Sequence, residues 1–223
     1  MEAPAPAAVT LVGFGHTVRP HLSTIRRAEE IWGINNSHAE YDYAPDRIIA
    51  MDDLRRDEPA FPRYVREIVK AGVPVYTATA YPEWPTTVAY PLADVIVSLG
   101  LKKRSAQAAF SNTWCYALAL ALHEGRRIVH CYGADFEPPD DMTNMEAARS
   151  RLKDDQPDWF IYYMNRLLRA PTEPGIHGFT FLLGVAHERG VAVHFAAGST
   201  VMDLDRSGLY YGFTHQPRFD DAT

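Results

Sequence analysis

The most constraining feature of the chain is an apolar, β-branched run near its start that stops at two closely spaced glycines. Residues 9–12 form the run, and Gly13, Phe14 and Gly15, which we call the glycine turn, follow it. Residues 19–30 then carry a helical pattern, and a strand, tight turn and helix in this order are typical of the first unit of a parallel α/β sheet. Glycine allows the turn a positive φ and a close ligand approach, and the N-terminus of a helix attracts phosphate. We therefore expect a nucleotide or phosphate site here, with a purely structural turn as the alternative, because the third glycine of the dinucleotide fingerprint is absent.

Runs that predict strands alternate with runs that predict helices along the chain. Further strands are expected over residues 30–36, 46–53, 73–77, 128–136 and 191–195, and helices over residues 62–71, 114–123, 159–168 and 176–188. Residues 37–45 and the proline-punctuated residues 81–90 are expected to be loops. The alternation indicates the α/β class, with an open, mostly parallel, Rossmann-like sheet of about six strands flanked by helices. We expect a single domain over residues 1–223, with an acidic lid or insertion around residues 137–158.

The composition excludes some classes of protein. The formal net charge is −6, which argues against a broadly basic nucleic-acid coat but leaves room for a local basic groove. No apolar run reaches the roughly 20 residues that span a bilayer and no signal peptide is visible, so we expect no membrane partner. Cys115 and Cys131 lie in apolar runs, as buried thiols do, and this use of cysteine fits a reducing cytoplasm.

Polar residues collect where the expected strands end. In an open parallel sheet, ligands bind outside the carboxyl ends of the strands, so these positions are the candidate site residues. They are His16 beside the glycine turn, Asn35 and Asn36 at the end of the second strand with His38 shortly after it, Asp52 and Asp53 at the end of the third, and Gly133 and Asp135 within the end of the run 128–136. The predicted N-cap cluster of the alanine- and leucine-rich helix joins them, with Ser111, Asn112 and Thr113.

A group transfer from a nucleotide donor needs hydrogen-bond donors for the phosphate charge and a base for the acceptor hydroxyl. The catalytic candidates are Asp135, His16, Asp52 and His38. A structural role stays open for each of them, as a turn histidine, a helix cap or a carboxylate that bonds its own loop. No His-x-x-x-His or Cys-x-x-Cys spacing occurs, so no metal ligands are predicted, although Asp140 and Asp141 leave a divalent ion open.

Five pieces of the chain follow one another in an order that is found in a known superfamily. They are a strand with a Gly-x-Gly turn (residues 9–15), a strand ending in asparagine (residues 33–36), a strand ending in aspartate (residues 48–52), a Ser-started alanine-rich helix (residues 111–121) and a strand ending in Gly-x-Asp-Phe (residues 128–136). In these pieces the chain resembles the Rossmann-like superfamily of Campylobacter-type sialyltransferases, motility accessory factors and hydroxymethylpterin diphosphokinase-like proteins. It is most similar to uncharacterised phage members, also through residues 181–193.

The resemblance implies a donor site and an activity. In the sialyltransferases the matching positions hold a cytidine nucleotide donor; carried over, they are Gly13, Gly15, Asn35, Ser111 and Asn112, and the adjoining Phe14, Asn36, Thr113 and Gly133 complete the expected site. The expected enzyme is a glycosyltransferase that moves a sugar from a nucleotide-sugar donor to a hydroxyl acceptor, which for a phage protein would be a hydroxymethylated DNA base in the host cytoplasm. The alternatives are a metal-dependent phosphotransferase, such as a diphosphokinase, and a nucleotide-binding protein without chemistry. The need for a divalent metal stays open.

Overall fold

The fold is an open parallel sheet covered on both faces by helices. A computed structural model of the chain describes residues 7–56, 61–134, 173–197 and 199. In these residues the strands are β1 (Ala8–Val12), β2 (Ile31–Ile34), β3 (Arg47–Ile49), β4 (Val75–Thr77), β5 (Thr87–Ala89), β6 (Ile128–Tyr132) and β7 (Ala192–Phe195). They form a sheet of order β5-β4-β3-β2-β1-β6-β7, and every neighbouring pair is parallel. The α/β, Rossmann-like prediction is confirmed, with β5 as the strand that the sequence did not predict.

The helices divide between the two faces of the sheet. They are α1 (Leu22–Ile25), α2 (Ser37–Tyr41), α3 (Phe61–Lys70), α4 (Leu92–Ser98), α5 (Lys103–Ala109), α6 (Thr113–His123) and α7 (Glu173–Glu188), with a 3₁₀ helix at His16–His21 before α1. On one face, α4 to α7 bury a single large core against Leu11, Trp32 and Ile49. On the other face, α1, α2, α3 and the 3₁₀ helix cover Val12 and Ile48. No helix in the described ranges is long and apolar enough to cross a membrane.

Helix α6 is the central helix of the large core. The predicted N-cap is confirmed, because Asn112 Oδ1 accepts a hydrogen bond from the backbone N–H of Cys115 at 3.0 Å. The alanines and leucines that follow, from Ala117 to Leu122, are all buried between the sheet and α7. Since α6 leads into β6, it runs antiparallel to the strands, and its N-terminus lies at their carboxyl edge. Cys115 and Cys131 are both buried and unbridged, as predicted.

The segments next to the glycine turn and after β2 differ from the prediction. The helix expected over residues 19–30 is instead the 3₁₀ helix followed by the single turn α1, because Pro20 has no N–H to donate and β2 already begins at Ile31. Residues 37–45, expected to be a loop, contain α2, which ends at Asp42 with a left-handed φ of 52°. Both changes bring hydroxyl-bearing side chains towards the end of β1.

The loop prediction for residues 81–90 is also wrong. Residues 81–90 contain the edge strand β5, which starts after two prolines and pairs with β4 through the Val75 N–H and the Thr86 carbonyl at 2.9 Å. Tyr81 in the same segment is buried, so it is not free to stack on a ligand. The basic residues at 102–104 lead into α5. The predicted lid at residues 137–158 and the helix at 159–168 lie outside the described residues.

The strand order creates one reversal in the winding of the sheet. From β1 the chain adds strands on one side up to β5, and it then crosses back to place β6 on the other side of β1. The carboxyl ends of β1 and β6 therefore lie side by side at the point where the crossovers diverge. Open α/β sheets bind ligands in the crevice at such a switch point, so the fold positions the glycine turn and Gly133 together.

Candidate functional site

The glycine turn is bonded to the end of β6 through its backbone. The N–H of Gly13 donates to the Tyr132 carbonyl at 2.9 Å, and the N–H of Gly15 donates to the Gly133 carbonyl at 3.2 Å. The N–H of Gly133 in turn donates to the buried Thr17 hydroxyl at 2.8 Å. The two strand ends thus form one rigid unit, and the N–H groups of Gly13 and Gly15 are used inside the protein.

The glycines in this unit are required mainly by space. A Cβ on Gly13 would lie 2.6 Å from the Trp114 ring and 2.8 Å from the Gly133 carbonyl oxygen. The positive φ expected in the glycine turn is wrong for Gly15, whose φ is −63°, and Gly13 is not among the positive-φ residues. Gly133 has the positive φ, 72°, and its Cβ would also lie 2.7 Å from Val18 Cγ2.

The carbonyl groups of the same turn are held by hydroxyls from α2 and the residues after it. The Tyr41 hydroxyl donates to the Phe14 carbonyl, and the Ser37 hydroxyl donates to the Val12 carbonyl at 2.8 Å. Tyr43 lies 2.6 Å from the Ser37 oxygen, and burial raises the pKa of Tyr43 so that it stays protonated. None of these three was predicted as a site residue, because residues 37–45 were expected to be a loop; the available signal in the sequence was three hydroxyl side chains within residues 37–43.

The two adjacent asparagines after β2 have different environments. Asn36 donates its side-chain N–H to Glu67 Oε2 on α3 at 2.6 Å. Asn35 is left-handed, with φ of 55°, and its N–H continues the ladder to the Ile49 carbonyl at 2.8 Å. Its side-chain Oδ1 accepts from the Tyr64 hydroxyl at 3.1 Å, while its NH₂ group has no partner within the described ranges. Of the two predicted donor-binding residues, Asn35 is therefore the one whose NH₂ group makes no hydrogen bond within the described ranges.

The two adjacent carboxylates after β3 are also distinct. Asp53 Oδ1 accepts from the Arg55 N–H and from the Tyr81 hydroxyl, both at 3.0 Å. The Arg55 N–H and then the Tyr81 hydroxyl lower the pKa of Asp53, which is fully exposed. Asp52 is half-buried, and its Oδ2 lies 3.5 Å from the Tyr64 hydroxyl that contacts Asn35. Asp53 thus caps its own loop, and Asp52 lies beside the asparagine.

Of the three other catalytic candidates, the structure describes His38 and His16. His38 is on α2, and its ring is directed to α3: its Nε2 is 3.3 Å from the Glu67 carbonyl, and the ring meets Tyr43 edge-on. Burial lowers the pKa of His38, so its ring is neutral at pH 7. His16 is the first residue of the 3₁₀ helix, directly after the glycine turn. Asp135 lies outside the described residues.

The start of α6 adjoins the glycine turn. Ser111 is exposed, Asn112 caps the helix and Thr113 is the first helical residue. The ring of Trp114 fills the space next to Gly13, which fixes the distance between the helix start and the turn. The structure therefore brings together the glycine turn, Gly133 and the N-cap cluster. Within the described part of the chain, no group of three or more His, Cys, Asp or Glu side chains could hold a metal ion.

These features define a Rossmann-like α/β protein in which the glycine turn, Gly133 and the start of α6 meet at the switch point of the sheet. No family model and no curated protein sequence matches the chain. A solved structure of the sialyltransferase CstII from Campylobacter jejuni, in complex with the substrate analogue CMP-3FNeuAc, is similar with a TM-score of 0.49 and 10% sequence identity, over 88% of this chain and 83% of that chain. A likeness at this level adds no argument about activity.

Proposed function

We propose that the chain is a group transferase that binds a nucleotide donor at the switch point and transfers a sugar to a hydroxyl acceptor. The observation that carries this proposal is the convergence of the glycine turn, Gly133 and the start of α6 at the carboxyl ends of β1 and β6. Ligands of open α/β sheets bind at this point. The motif resemblance to nucleotide-dependent transferases supports the same choice of donor.

The groups available at the crevice are suited to an anionic ligand. Asn112 satisfies the N–H of Cys115, and the N–H groups of Thr113 and Trp114 have no acceptor among the described residues. They belong to the first turn of an 11-residue helix, whose N-terminal end carries a partial positive charge. The unused NH₂ group of Asn35 adds a side-chain donor. A donor phosphate would accept hydrogen bonds from these groups.

Asp52 is our candidate for the base that deprotonates the acceptor hydroxyl. It is half-buried at the end of β3, and it is connected to Asn35 through the Tyr64 hydroxyl. His38 is less suitable because its ring is directed to the Glu67 carbonyl. Asp135 and His16 stay candidates on their positions in the sequence.

The acceptor is the part of the proposal that rests on resemblance alone. The similarity to phage proteins favours a hydroxymethylated DNA base, which would have to leave the duplex to reach the crevice. Two arginines close to the turn are exposed and already paired, Arg19 with Glu40 at 3.4 Å and Arg26 with Asp42 at 3.0 Å. If they contribute to DNA binding, replacing either by alanine should weaken the binding and flatten its salt dependence.

The donor half of the proposal is tested by a thermal-shift screen of the chain against nucleotides and nucleotide sugars, with and without Mg²⁺. A ligand at 100 times its Kd adds about 2.7 kcal/mol of stability. We expect a shift with a nucleotide sugar. A shift with ATP alone that requires Mg²⁺ would favour the phosphotransferase, and no shift with any nucleotide would contradict the proposal.

The catalytic half is tested with two neighbouring substitutions. Asp52→Asn should abolish the release of nucleotide from the sugar donor while nucleotide affinity is retained, because a base acts in the chemical step and not in donor binding. Asp53→Asn is the matched control, since its carboxylate caps a loop, and it should keep turnover. Full turnover in Asp52→Asn would exclude Asp52 as the base, and binding without turnover in the unmodified chain would favour a nucleotide-binding protein.

A further inference from the structure

We infer that Tyr64 is a positioning residue, whose hydroxyl fixes the side-chain amide of Asn35 so that its NH₂ group is presented to the ligand. This inference rests on the proposed function, because it assigns one hydrogen-bond donor within the proposed nucleotide site. Tyr64 itself contacts no ligand in this account and acts through Asn35.

The direction of the amide follows from its two unlike ends. A carboxamide has an acceptor oxygen and a donor NH₂ group. The Tyr64 hydroxyl lies 3.1 Å from Asn35 Oδ1 and 3.5 Å from Asp52 Oδ2. Because a hydroxyl has one hydrogen and the shorter contact is the stronger, the oxygen end of Asn35 is held by Tyr64. The NH₂ end is then the free end of the amide.

The position of Asn35 places this donor at the crevice. In the β1–β2 ladder Val12 is paired with Gly33, so Asn35 and the glycine turn both follow directly at the carboxyl ends of these two adjacent strands. Neighbouring strands are about 4.8 Å apart. The left-handed backbone of Asn35, with φ of 55°, turns the chain sharply at this point. Asparagine is one of the few residues other than glycine that adopt this conformation readily, so the turn after β2 is compatible with an amide side chain at this position.

The helix that carries Tyr64 is well anchored. Phe61, Val65 and Ile68 of α3 are buried at helical spacing, and the Phe61 and Tyr64 rings lie 5.3 Å apart. Glu67, one turn further on, holds Asn36. Helix α3 therefore holds both asparagines, Asn35 through Tyr64 and Asn36 through Glu67. A donor held in this way recognises a ligand oxygen, such as a phosphate or base carbonyl oxygen, and does not recognise an ammonium group.

The contact is tested first without any ligand. In ¹H–¹⁵N spectra, the side-chain amide signals of Asn35 are identified by their loss in Asn35→Ala. We expect them to move in Tyr64→Phe and to stay in place in the control Tyr76→Phe, whose hydroxyl is directed to Arg47 at the opposite end of β3. Signals that do not move in Tyr64→Phe would overturn the inference, whatever the chain binds.

The role in binding is tested by calorimetric titration with CMP, or with whichever of AMP, GMP and UMP the unmodified chain binds better. Tyr64→Phe should weaken binding about three- to tenfold, the worth of one oriented hydrogen bond. The same substitution should have no effect in an Asn35→Ala background, because Tyr64 acts through Asn35. Equal weakening in both backgrounds would overturn the positioning role. The unmodified chain could bind none of the four nucleotides although the Asn35 amide signals move in Tyr64→Phe. That result would contradict the proposed donor site and would support only the Tyr64–Asn35 hydrogen bond.

Discussion

Replacing Glu30 by glutamine should strongly destabilise the fold, because Glu30 is the centre of a buried charge network at the amino-terminal edge of the sheet. Its carboxylate oxygens lie 2.7 Å and 3.0 Å from the Arg126 guanidinium and 3.0 Å from that of Arg47. The Trp32 indole N–H donates to the same carboxylate at 2.6 Å. A second carboxylate, that of Glu124, lies 2.6 Å from the Arg47 guanidinium and 2.9 Å from that of Arg126. Two carboxylates thus hold two cations, and the exposed fraction of the Arg126 side chain is 2%.

The magnitude follows from the burial of the partners. Glutamine keeps one acceptor oxygen but removes the negative charge, and its NH₂ group would face arginine N–H donors. Removing one partner of a buried ion pair costs about 3–5 kcal/mol, because the remaining charge is left uncompensated. For a protein of 223 residues, each kcal/mol lowers Tm by roughly 2–4 °C, so Glu30→Gln should lower Tm by roughly 6–20 °C.

The control is the same substitution in an exposed ion pair. Glu40 contacts Arg19 at 3.4 Å, and their side chains are 43% and 45% exposed. Exposed pairs contribute about 0–1 kcal/mol, so Glu40→Gln should leave Tm almost unchanged. Both variants are compared by thermal and urea denaturation followed by circular dichroism. A Glu30→Gln variant as stable as Glu40→Gln would refute the reasoning about the buried network.

Two other predictions concern the site. Gly133→Ala should destabilise the fold by at least about 2 kcal/mol, because the new Cβ would lie 2.7 Å from Val18 Cγ2 and the residue would also have to keep a positive φ. The control is Gly125→Ala, which has a φ of 76° and nothing within 4 Å, so it should lose only the stability that a positive φ costs. Equal losses of stability in urea denaturation would contradict the steric argument. His38 binds its proton less readily in the folded state, because burial lowers its pKa from 6.5. Above about pH 6.5 the histidine is neutral in both states and costs no stability, whereas stability should fall as the pH drops from about 6.5 towards the lowered pKa. His38→Gln should remove that part of the pH dependence in denaturation profiles, and an unchanged profile would contradict it.

Local sequence signals were sufficient for the class of fold and for one helix start. The alternation of strand and helix patterns predicts the parallel sheet, and the Asn112 cap can be read from the sequence because a cap bonds to the N–H three residues on. The short strand β5 and helix α2 could not be read in the same way. Each has five residues or fewer, so its stability comes from neighbours in the fold and its periodicity is too short to detect.

The candidate site was predictable in position but not in detail. The rule that ligands bind at the carboxyl ends of parallel strands favours Asn35 and Asn36 equally. Only their contacts with α3 distinguish them, since Tyr64 holds Asn35 and Glu67 holds Asn36. The need for glycine at position 13 also comes from a residue far away in the sequence, because the space beside Gly13 is filled by Trp114. Contacts between residues so far apart in sequence depend on the assembled sheet and leave no local pattern.

The most direct test of the account is a ¹H–¹⁵N titration of the chain with the nucleotide that binds best in the thermal-shift screen. The account predicts saturable shifts of the backbone amides of Phe14, Gly133 and Thr113 and of the side-chain amide of Asn35, all with one Kd. These groups surround the crevice at the switch point. Saturable shifts confined to other parts of the chain, or no shifts with any nucleotide, would contradict a nucleotide site at the ends of β1 and β6.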